Sequence, residues 1–571
     1  MPKVTIDGKA YEFEGKQMLL QFSMDQGIEI PYFCYHPAMS IPTNCRMCLV
    51  EIGYQAKDRE TGEYQFDEEG KPIVNWIKKP ATSCNTPMVD GLFVKTNRTS
   101  EQISKDQKGV LEYMLVNHPL DCPICDQAGE CPLQIWTYKY GPEGSRFEEM
   151  KTHKRKRVEL GPNVILDEER CINCTRCTRF AGEISKSHQL TIIGRGDKNY
   201  PGTAPGTVFD DPYSMNTIDL CPVGALTSKQ SRFNARPWEM AYAPSIDMND
   251  STGTNIFVWL RDNKVMRITP RENKDINDFW MPDVHRLNIG YYNDNRVSGV
   301  HAAGKAVSDF EEGIRKAAKL LSDGDGKFFF LGSPHASFES NFALKELAAL
   351  SGNAEIHYVP NLKEGSGDGW LIQDDKSPNS AACKLLGFKE ISLDDLKGRL
   401  SSGKIEYLYA LEDGNTFSQL GDSLSQTLSI VHATQHTEAL SNASVILPAA
   451  TAIEAESIYI NMKGIPQVSA LAKQIRQMTP EMWMRLPKSR LDKTGQLTDH
   501  WRDAAHIFDV LPGWLLISKV ARAAGKDMPY ASHKEVFSKM KTQFEVLKDF
   551  KVSYKPPKEA FRISQFEFAI G

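Results

Sequence analysis

Eleven of the twelve cysteines lie within the first 221 of 571 residues, in three groups. Cys34, Cys45, Cys48 and Cys84 form the first. Cys122, Cys125 and Cys131 form the second, and Cys171, Cys174, Cys177 and Cys221 the third. The remaining 350 residues hold only Cys383. Packing alone gives no such bias, because a buried cysteine behaves as a small hydrophobe and serves any core equally well. Metal or cluster ligation does give it. The front of the chain therefore reads as an iron–sulfur module, and its fold must bring each group together in a loop.

Charge and hydropathy exclude more than they assign. The net charge is −5, and the mean hydropathy is −0.41 with 41% hydrophobic residues. Neither nucleic-acid binding nor membrane binding follows from that balance. The longest apolar runs, at 327–332 and 513–521, fall short of the ~18 residues of a membrane span. The N-terminus MPKVTIDGKAYEFE has no signal-peptide core, so cytoplasm is the default expectation unless a presequence has been removed. Thiols there stay reduced, which favours ligands over disulfides.

Residues 2–14 predict a hairpin, with Val4 and Ile6 alternating, Asp7-Gly8 at the turn, and Tyr11 and Phe13 on the return strand. Met18, Leu19 and Phe22 suit one face of a short helix capped by Gly27. Strand, strand, helix and cysteine loop together suit a β-grasp ferredoxin domain. The charged stretch 54–79 reads as an inserted surface hairpin with Glu-Glu-Gly at its tip. A helix with Val110, Leu111, Met114 and Leu115 on one face precedes the second group; Pro119 ends it and sets His118 in its last turn. The basic run 151–157 reads as a solvated face, or as a contact with an acidic partner surface. Residues 195–213 read as loop. From about 235, runs such as KFFFLG, IEYLYAL, LSIVHAT and ASVILPA alternate with helical patterns, which predicts an α/β region with a mainly parallel sheet.

The three groups differ in the chemistry they suit. In the first, gaps of ten, two and 35 residues separate the cysteines. Four thiolates of this kind suit a [2Fe–2S] cluster, although plant-type ferredoxins use a four-residue first gap. Zinc sites commonly pair two short Cys-x-x-Cys knuckles, and only one exists here. The second group, NHPLDCPICDQAGEC, leaves a cubane one ligand short. His118 is the leading fourth candidate, with Asp121 and Asp126 as competitors. Imidazole replaces thiolate on iron in Rieske centres. The third group, RCINCTRC followed by a remote Cys221-Pro222, has the cubane pattern of bacterial ferredoxins. Arg170, Arg176 and Arg179 either offset thiolate charge there or are ordinary surface residues.

Together PYFCYHP, NCRMCLVEI, NHPLDCPICDQAGECPLQ, RCINCTRCTRF and IDLCPVGALTSK resemble, in order, the large iron–sulfur subunit of bacterial NADH-quinone oxidoreductase. The mitochondrial counterpart is the 75 kDa iron–sulfur subunit of respiratory complex I. The resemblance is specific over 1–240 and continues weakly to about 470, where ALSNASVILPAAT looks like a molybdopterin-oxidoreductase-like domain. It implies a [2Fe–2S] cluster on Cys34, Cys45, Cys48 and Cys84. It implies one [4Fe–4S] cluster on His118, Cys122, Cys125 and Cys131, and a second on Cys171, Cys174, Cys177 and Cys221. The implied fold is α+β then α/β: a ferredoxin-type domain at 1–97, 4Fe–4S segments at 98–140 and 141–234, and a shortened molybdopterin-oxidoreductase-like domain at 235–571 without molybdopterin. Some members carry a further cubane at the start of that domain. Asp247, Asp250 and Thr254 stand at those cysteine positions here, with the fourth near Pro282, so no fourth cluster is expected. The role of the residues after 470 is left open.

The function implied is electron relay from NADH and a partner subunit's flavin toward quinone, within a proton-translocating complex, with no substrate site of its own. The implied partners are the flavin/NADH-binding subunit and other peripheral-arm subunits. The implied place is peripheral, on the cytoplasmic side of a bacterial inner membrane or the matrix side of a mitochondrial one. The rivals are an electron-transfer subunit of an NAD-reducing hydrogenase or formate dehydrogenase, and a zinc-bearing scaffold.

Overall fold

A computed structural model describes residues 1–473 and 510–551, apart from 59, 308, 354, 412 and 413. Part of the C-terminal region whose role the sequence leaves open lies outside these described residues. The chain divides into two compact units, with the boundary between Trp238 and Glu239.

The first unit opens with the expected hairpin. Lys3–Ile6 pairs antiparallel with Lys9–Glu12, and Asp7 and Gly8 take the positive φ that so tight a turn requires. Lys3–Ile6 also runs parallel to Leu92–Lys95, which pairs antiparallel with Leu49–Gln55, giving a mixed β-grasp sheet. Val4, Ile6, Val50, Ile52, Leu92 and Val94 point to one side and bury against Leu19, Leu20 and Phe22 of the helix Leu19–Asp25. That helix ends where Gly27 adopts φ 71°, and its following amides bond back to Met24 and Ser23. Stretch 54–79 is more elaborate than one hairpin. Val74–Trp76 pairs with Leu49–Gln55, and separate turns around Asp58 and Asp67 fold the tip back on itself.

The next helix, Glu101–Leu115, starts at Ser100, whose hydroxyl accepts from the Ile103 amide. It ends three residues before His118, so His118 lies in the turn beyond the helix, not in its last turn. Its amide still reaches the Leu115 carbonyl. Run 151–157 is neither a bare solvated face nor evidence of an external acidic partner. Lys151 Nζ caps the helix by donating to the Leu115 and Val116 carbonyls at 2.9 and 2.8 Å. Arg155 pairs with Glu168, and Lys156 with Asp121 and Glu169. The run straps the helix end to the third cysteine segment.

The second unit begins with a three-stranded antiparallel sheet, Ala241–Ile246, Asn255–Arg261 and Lys264–Pro270. The predicted α/β region follows. Val445–Pro448, Leu428–Ala433, Tyr407–Leu411, Phe328–Leu331, Ile356–Tyr358 and Lys389–Glu390 run parallel in that spatial order. Both faces are covered. Tyr407, Tyr409 and Leu411 enter one core, while Leu408 and Ala410 enter the other. That two-sided burial explains the continuous apolar runs. No helix among the described residues is long and apolar enough to cross a membrane.

Candidate iron–sulfur sites

The four cysteines of the first group come from two loops and are all buried. Cys34 and Cys45 pair side chain to side chain, and Cys48 pairs with Cys84 in the same way. The Cys45 thiol is drawn down to about 6 by the hydrogen bond from Cys34, while Cys34 is driven up by the same contact and by burial. Two pairs of sulfurs suit a binuclear centre, in which each tetrahedral iron takes two thiolates. A single zinc ion would draw four sulfurs to about 3.8 Å from one another, given Zn–S bonds of about 2.3 Å. Among the described residues no three cysteines bring their sulfurs within 4.8 Å of each other.

In the second group Cys125 and Cys131 are buried and Cys122 is exposed. Burial pushes the Cys131 thiol up to about 12. Sequence motifs give no hint of Gly224, yet it completes this site. A Cβ there would lie 2.1 Å from Cys125 Sγ, so only glycine leaves room for the sulfur. Next to it, the Pro222 carbonyl stands 3.7 Å from Cys131 Sγ. The three candidate fourth ligands are treated differently. Asp121 accepts from Arg170 Nη2 at 3.0 Å and Lys156 Nζ at 2.7 Å. Asp126 accepts from the Phe233 amide at 3.1 Å. His118 Nδ1 is buried without a hydrogen-bond partner. Burial, aided by Arg170 and Lys151, holds its pKa down to about 4, so the imidazole is neutral, the form that binds metal.

The third group forms one small cavity lined by Cys171, Cys174, Cys177 and Cys221 together with Ile192, Val223 and Leu226. Cys177 lies in the helix turn Arg176–Arg179, and Cys221 caps the helix Asn216–Leu220. Burial raises all four thiols, Cys171 to about 12 and Cys221 to about 11. Bare thiols in this setting keep their protons, and iron would displace them as it binds. The arginines prove to be more than surface residues. Arg176 is buried and donates to the Leu220 carbonyl at 3.1 Å and to the Tyr35 carbonyl. Arg179 donates to the carbonyls of Cys34 and Ser40. Both lower the Cys174 thiol electrostatically, against the larger effect of its burial. Arg170 acts likewise on Cys125.

In the second unit, a cavity of about 200 Å³ lies at the carboxyl ends of the parallel strands, lined by His335, Ser340, Leu411, His432, Thr451 and Tyr459 among others. It lies where this fold class binds ligands. Its volume is below the about 300–1,000 Å³ of small-molecule sites. Cys383 is fully buried in the adjacent core and does not line it.

Five family models match. Residues 2–99 match a 2Fe–2S iron–sulfur cluster binding domain, and 107–146 the NADH-ubiquinone oxidoreductase-G iron–sulfur binding region. Residues 161–227 match the ferredoxin-like domain of NADH-quinone oxidoreductase subunit 3, and 241–289 the 4Fe–4S domain of NDSU1/NuoG-like proteins. Residues 340–482 match molybdopterin oxidoreductase. The chain is 44% identical over 287 residues to the NADH-ubiquinone oxidoreductase 75 kDa subunit of Reclinomonas americana, covering 50% of this chain and 38% of that protein. It is 38% identical over 363 residues to the mitochondrial NADH-ubiquinone oxidoreductase 78 kDa subunit of Neurospora crassa, covering 62% and 45%. It is 37% identical over 349 residues to the corresponding NADH-quinone oxidoreductase subunit of Rickettsia bellii, covering 60% and 48%. The chain thus spans half or less of the length of these relatives. A solved NAD⁺-reducing [NiFe]-hydrogenase chain aligns at 27% identity with a TM-score of 0.33, over 41% of this chain and 91% of its own. Its cluster domains match in order, and half or more of its length aligns to each of these relatives, so over that length the chain is similar to the 75 kDa iron–sulfur subunit of NADH-quinone oxidoreductase.

Proposed function

We propose that this chain is an electron-transfer subunit of an NADH:quinone oxidoreductase, placed between a flavin-bearing NADH-binding subunit and further peripheral-arm subunits, on the cytoplasmic or matrix face of the membrane. Cys34, Cys45, Cys48 and Cys84 hold a [2Fe–2S] cluster. His118, Cys122, Cys125 and Cys131 hold one [4Fe–4S] cluster, and Cys171, Cys174, Cys177 and Cys221 another. The segments 1–97, 98–140, 141–234 and 235–571 act as three cluster domains and one docking domain without cofactor. When bound, the clusters supply one-electron carriers with potentials set by ligand, hydrogen bonding and burial. The chain's own residues hold the sulfurs, keep His118 neutral and place arginines beside them.

The observation that carries this reading is the loop 221–224. Cys221 belongs to the third group, while Pro222 and Gly224 touch sulfurs of the second. One four-residue loop therefore serves two neighbouring sites, as a relay needs. Anaerobic purification tests it, with iron and acid-labile sulfide measured and the co-purifying chains identified. A colourless, zinc-loaded preparation would overturn it, and stoichiometric molybdenum would favour the formate dehydrogenase alternative. His118→Cys is expected to keep its cluster at a lower midpoint potential, because thiolate adds negative charge. His118→Ala is expected to lose or degrade that cluster. Unchanged redox-titrated EPR in both variants would remove His118 from the ligand set.

A further inference from the structure

We propose that Asp247, Asp250 and His285 form a site for one divalent transition-metal ion, in the segment that matches a 4Fe–4S domain but contains no cysteine. The site lies wholly in the second unit and does not depend on the relay reading. Asp247 follows the strand Ala241–Ile246, and Asp250 lies in the loop to Asn255–Arg261. The Asp247 amide closes that loop on the Thr254 carbonyl at 2.8 Å. The helix Asp283–Leu287 brings in His285, which no spacing in the sequence marks out.

One donor atom from each of the three residues lies within 4.8 Å of the other two, and all three side chains are buried. His285 Nδ1 stands 2.6 Å from Asp247 Oδ2, and His285 Nε2 stands 3.6 Å from Asp250 Oδ2. Around an ion with bonds of about 2.1 Å, adjacent donor atoms stand about 3.0–3.4 Å apart. The carboxylates are oriented from behind. Asp247 Oδ1 accepts from the Asn249 amide at 3.2 Å. Asp250 accepts from the amides of Thr252 and Gln373, each at 3.0 Å.

Asp247 Oδ2 and His285 Nδ1 are buried with only each other as an ion-pair partner, and Thr254 Oγ1, in the same loop, is buried without a hydrogen-bond partner. Asp247 and Asp250 are 2% and 0% exposed and His285 is 4% exposed. Lys376 adds one positive charge within electrostatic reach of His285, bonded to the Gln373 carbonyl. Both carboxylates raise the His285 pKa, so a bound cation would displace the imidazolium proton. Two hard oxygen donors and one imidazole suit manganese, iron(II) or zinc, and lack the thiolates a cluster needs.

Mn²⁺ is the probe. The full chain, loaded with its clusters and oxidised so that they are EPR-silent, is titrated with MnCl₂. One tightly held Mn²⁺ per chain is expected, with nitrogen hyperfine modulation from one imidazole. Asp247→Asn and His285→Gln should each weaken binding at least about tenfold and leave iron and sulfide contents unchanged. No bound Mn²⁺ in the unaltered chain, bound Mn²⁺ without nitrogen modulation, or equal affinity in both folded variants would overturn the site. The modulation in the unaltered chain decides the matter even if the variants fail to fold.

Discussion

Gly224→Ala tests the architecture of the second cysteine group with a single methyl. The added Cβ would sit 2.1 Å from Cys125 Sγ and 3.1 Å from Gln127 Cβ. Ordinary carbon–sulfur contact needs about 3.6 Å, so the sulfur or the loop must yield by about 1.5 Å. Gly224 lies outside the left-handed region, so the backbone itself accepts alanine and the clash falls on the sulfur. Overpacking of this kind costs about 1–3 kcal/mol, or about five- to 150-fold in the equilibrium constant for forming the site. A displacement of about 1.5 Å is also large beside an iron–sulfur bond of roughly 2.3 Å, the length thiolates make to zinc. The variant should lose about four of about ten irons, together with the EPR signal of one cubane, while the [2Fe–2S] signal persists. Gly182→Ala is the control, since its nearest neighbour, His188 Nδ1, stands at 3.7 Å. Full iron content and an unchanged midpoint in Gly224→Ala would refute the placement of Cys125 as a ligand beside this loop.

Arg170 is nearly fully buried and pairs with Asp121 at 3.0 Å and Asp167 at 3.2 Å. Arg170→Gln should leave buried Asp167 with only the distant Lys156 at 3.9 Å, while Asp121 keeps Lys156 at 2.7 Å; the cost should be at most about 3–5 kcal/mol, read as a lower thermal midpoint of the first unit by circular dichroism. In the second unit, burial holds His432 down to about 3, and its Nε2 bonds the Tyr409 hydroxyl at 2.9 Å. The folded chain thus binds fewer protons than the unfolded chain. His432 destabilises progressively as pH falls from about 6.5 toward about 3. Between pH 7 and pH 5 the loss should be about 2 kcal/mol, absent in His432→Gln, and measured by denaturant unfolding at each pH.

The front of the chain is legible because its ligands are local in sequence. Hairpin, cysteine loops and the remote Cys221-Pro222 each carry a spacing that chemistry requires. What escapes is set by tertiary packing. Gly224 matters only because another loop's sulfur lies over it, and a glycine after Cys-Pro looks like any turn. The basic run 151–157 looks solvated because its acidic partners, Asp121, Glu168 and Glu169, lie outside it. The end of the helix before His118 depends on Lys151 capping carbonyls from 35 and 36 residues away. In the rear, alternating apolar runs correctly announce a parallel sheet, since burial on both faces needs such runs. The antiparallel sheet ahead of it escapes sequence reading because its central strand, Asn255–Arg261, is a continuous apolar run with no alternation to mark it as antiparallel. His285 escapes because a ligand from a separate helix has no spacing rule relative to Asp247 and Asp250.

The arginines show why the first unit must fold as one body rather than as three beads. Arg176 holds the Tyr35 carbonyl beside the first group and the Leu220 carbonyl beside the third. Arg179 holds the Cys34 carbonyl itself. Asn44, next to Cys45, donates to the Asn173 carbonyl between Cys171 and Cys174 at 3.2 Å. Lysine could supply the charge, but its point-like ammonium cannot span two carbonyls in fixed directions as a planar guanidinium does. Electron transfer through an insulating fold demands fixed separations more than it demands contact with substrate. The same side chains that offset thiolate charge therefore also set the spacing between neighbouring sites, and a substitution that kept charge alone would not preserve it.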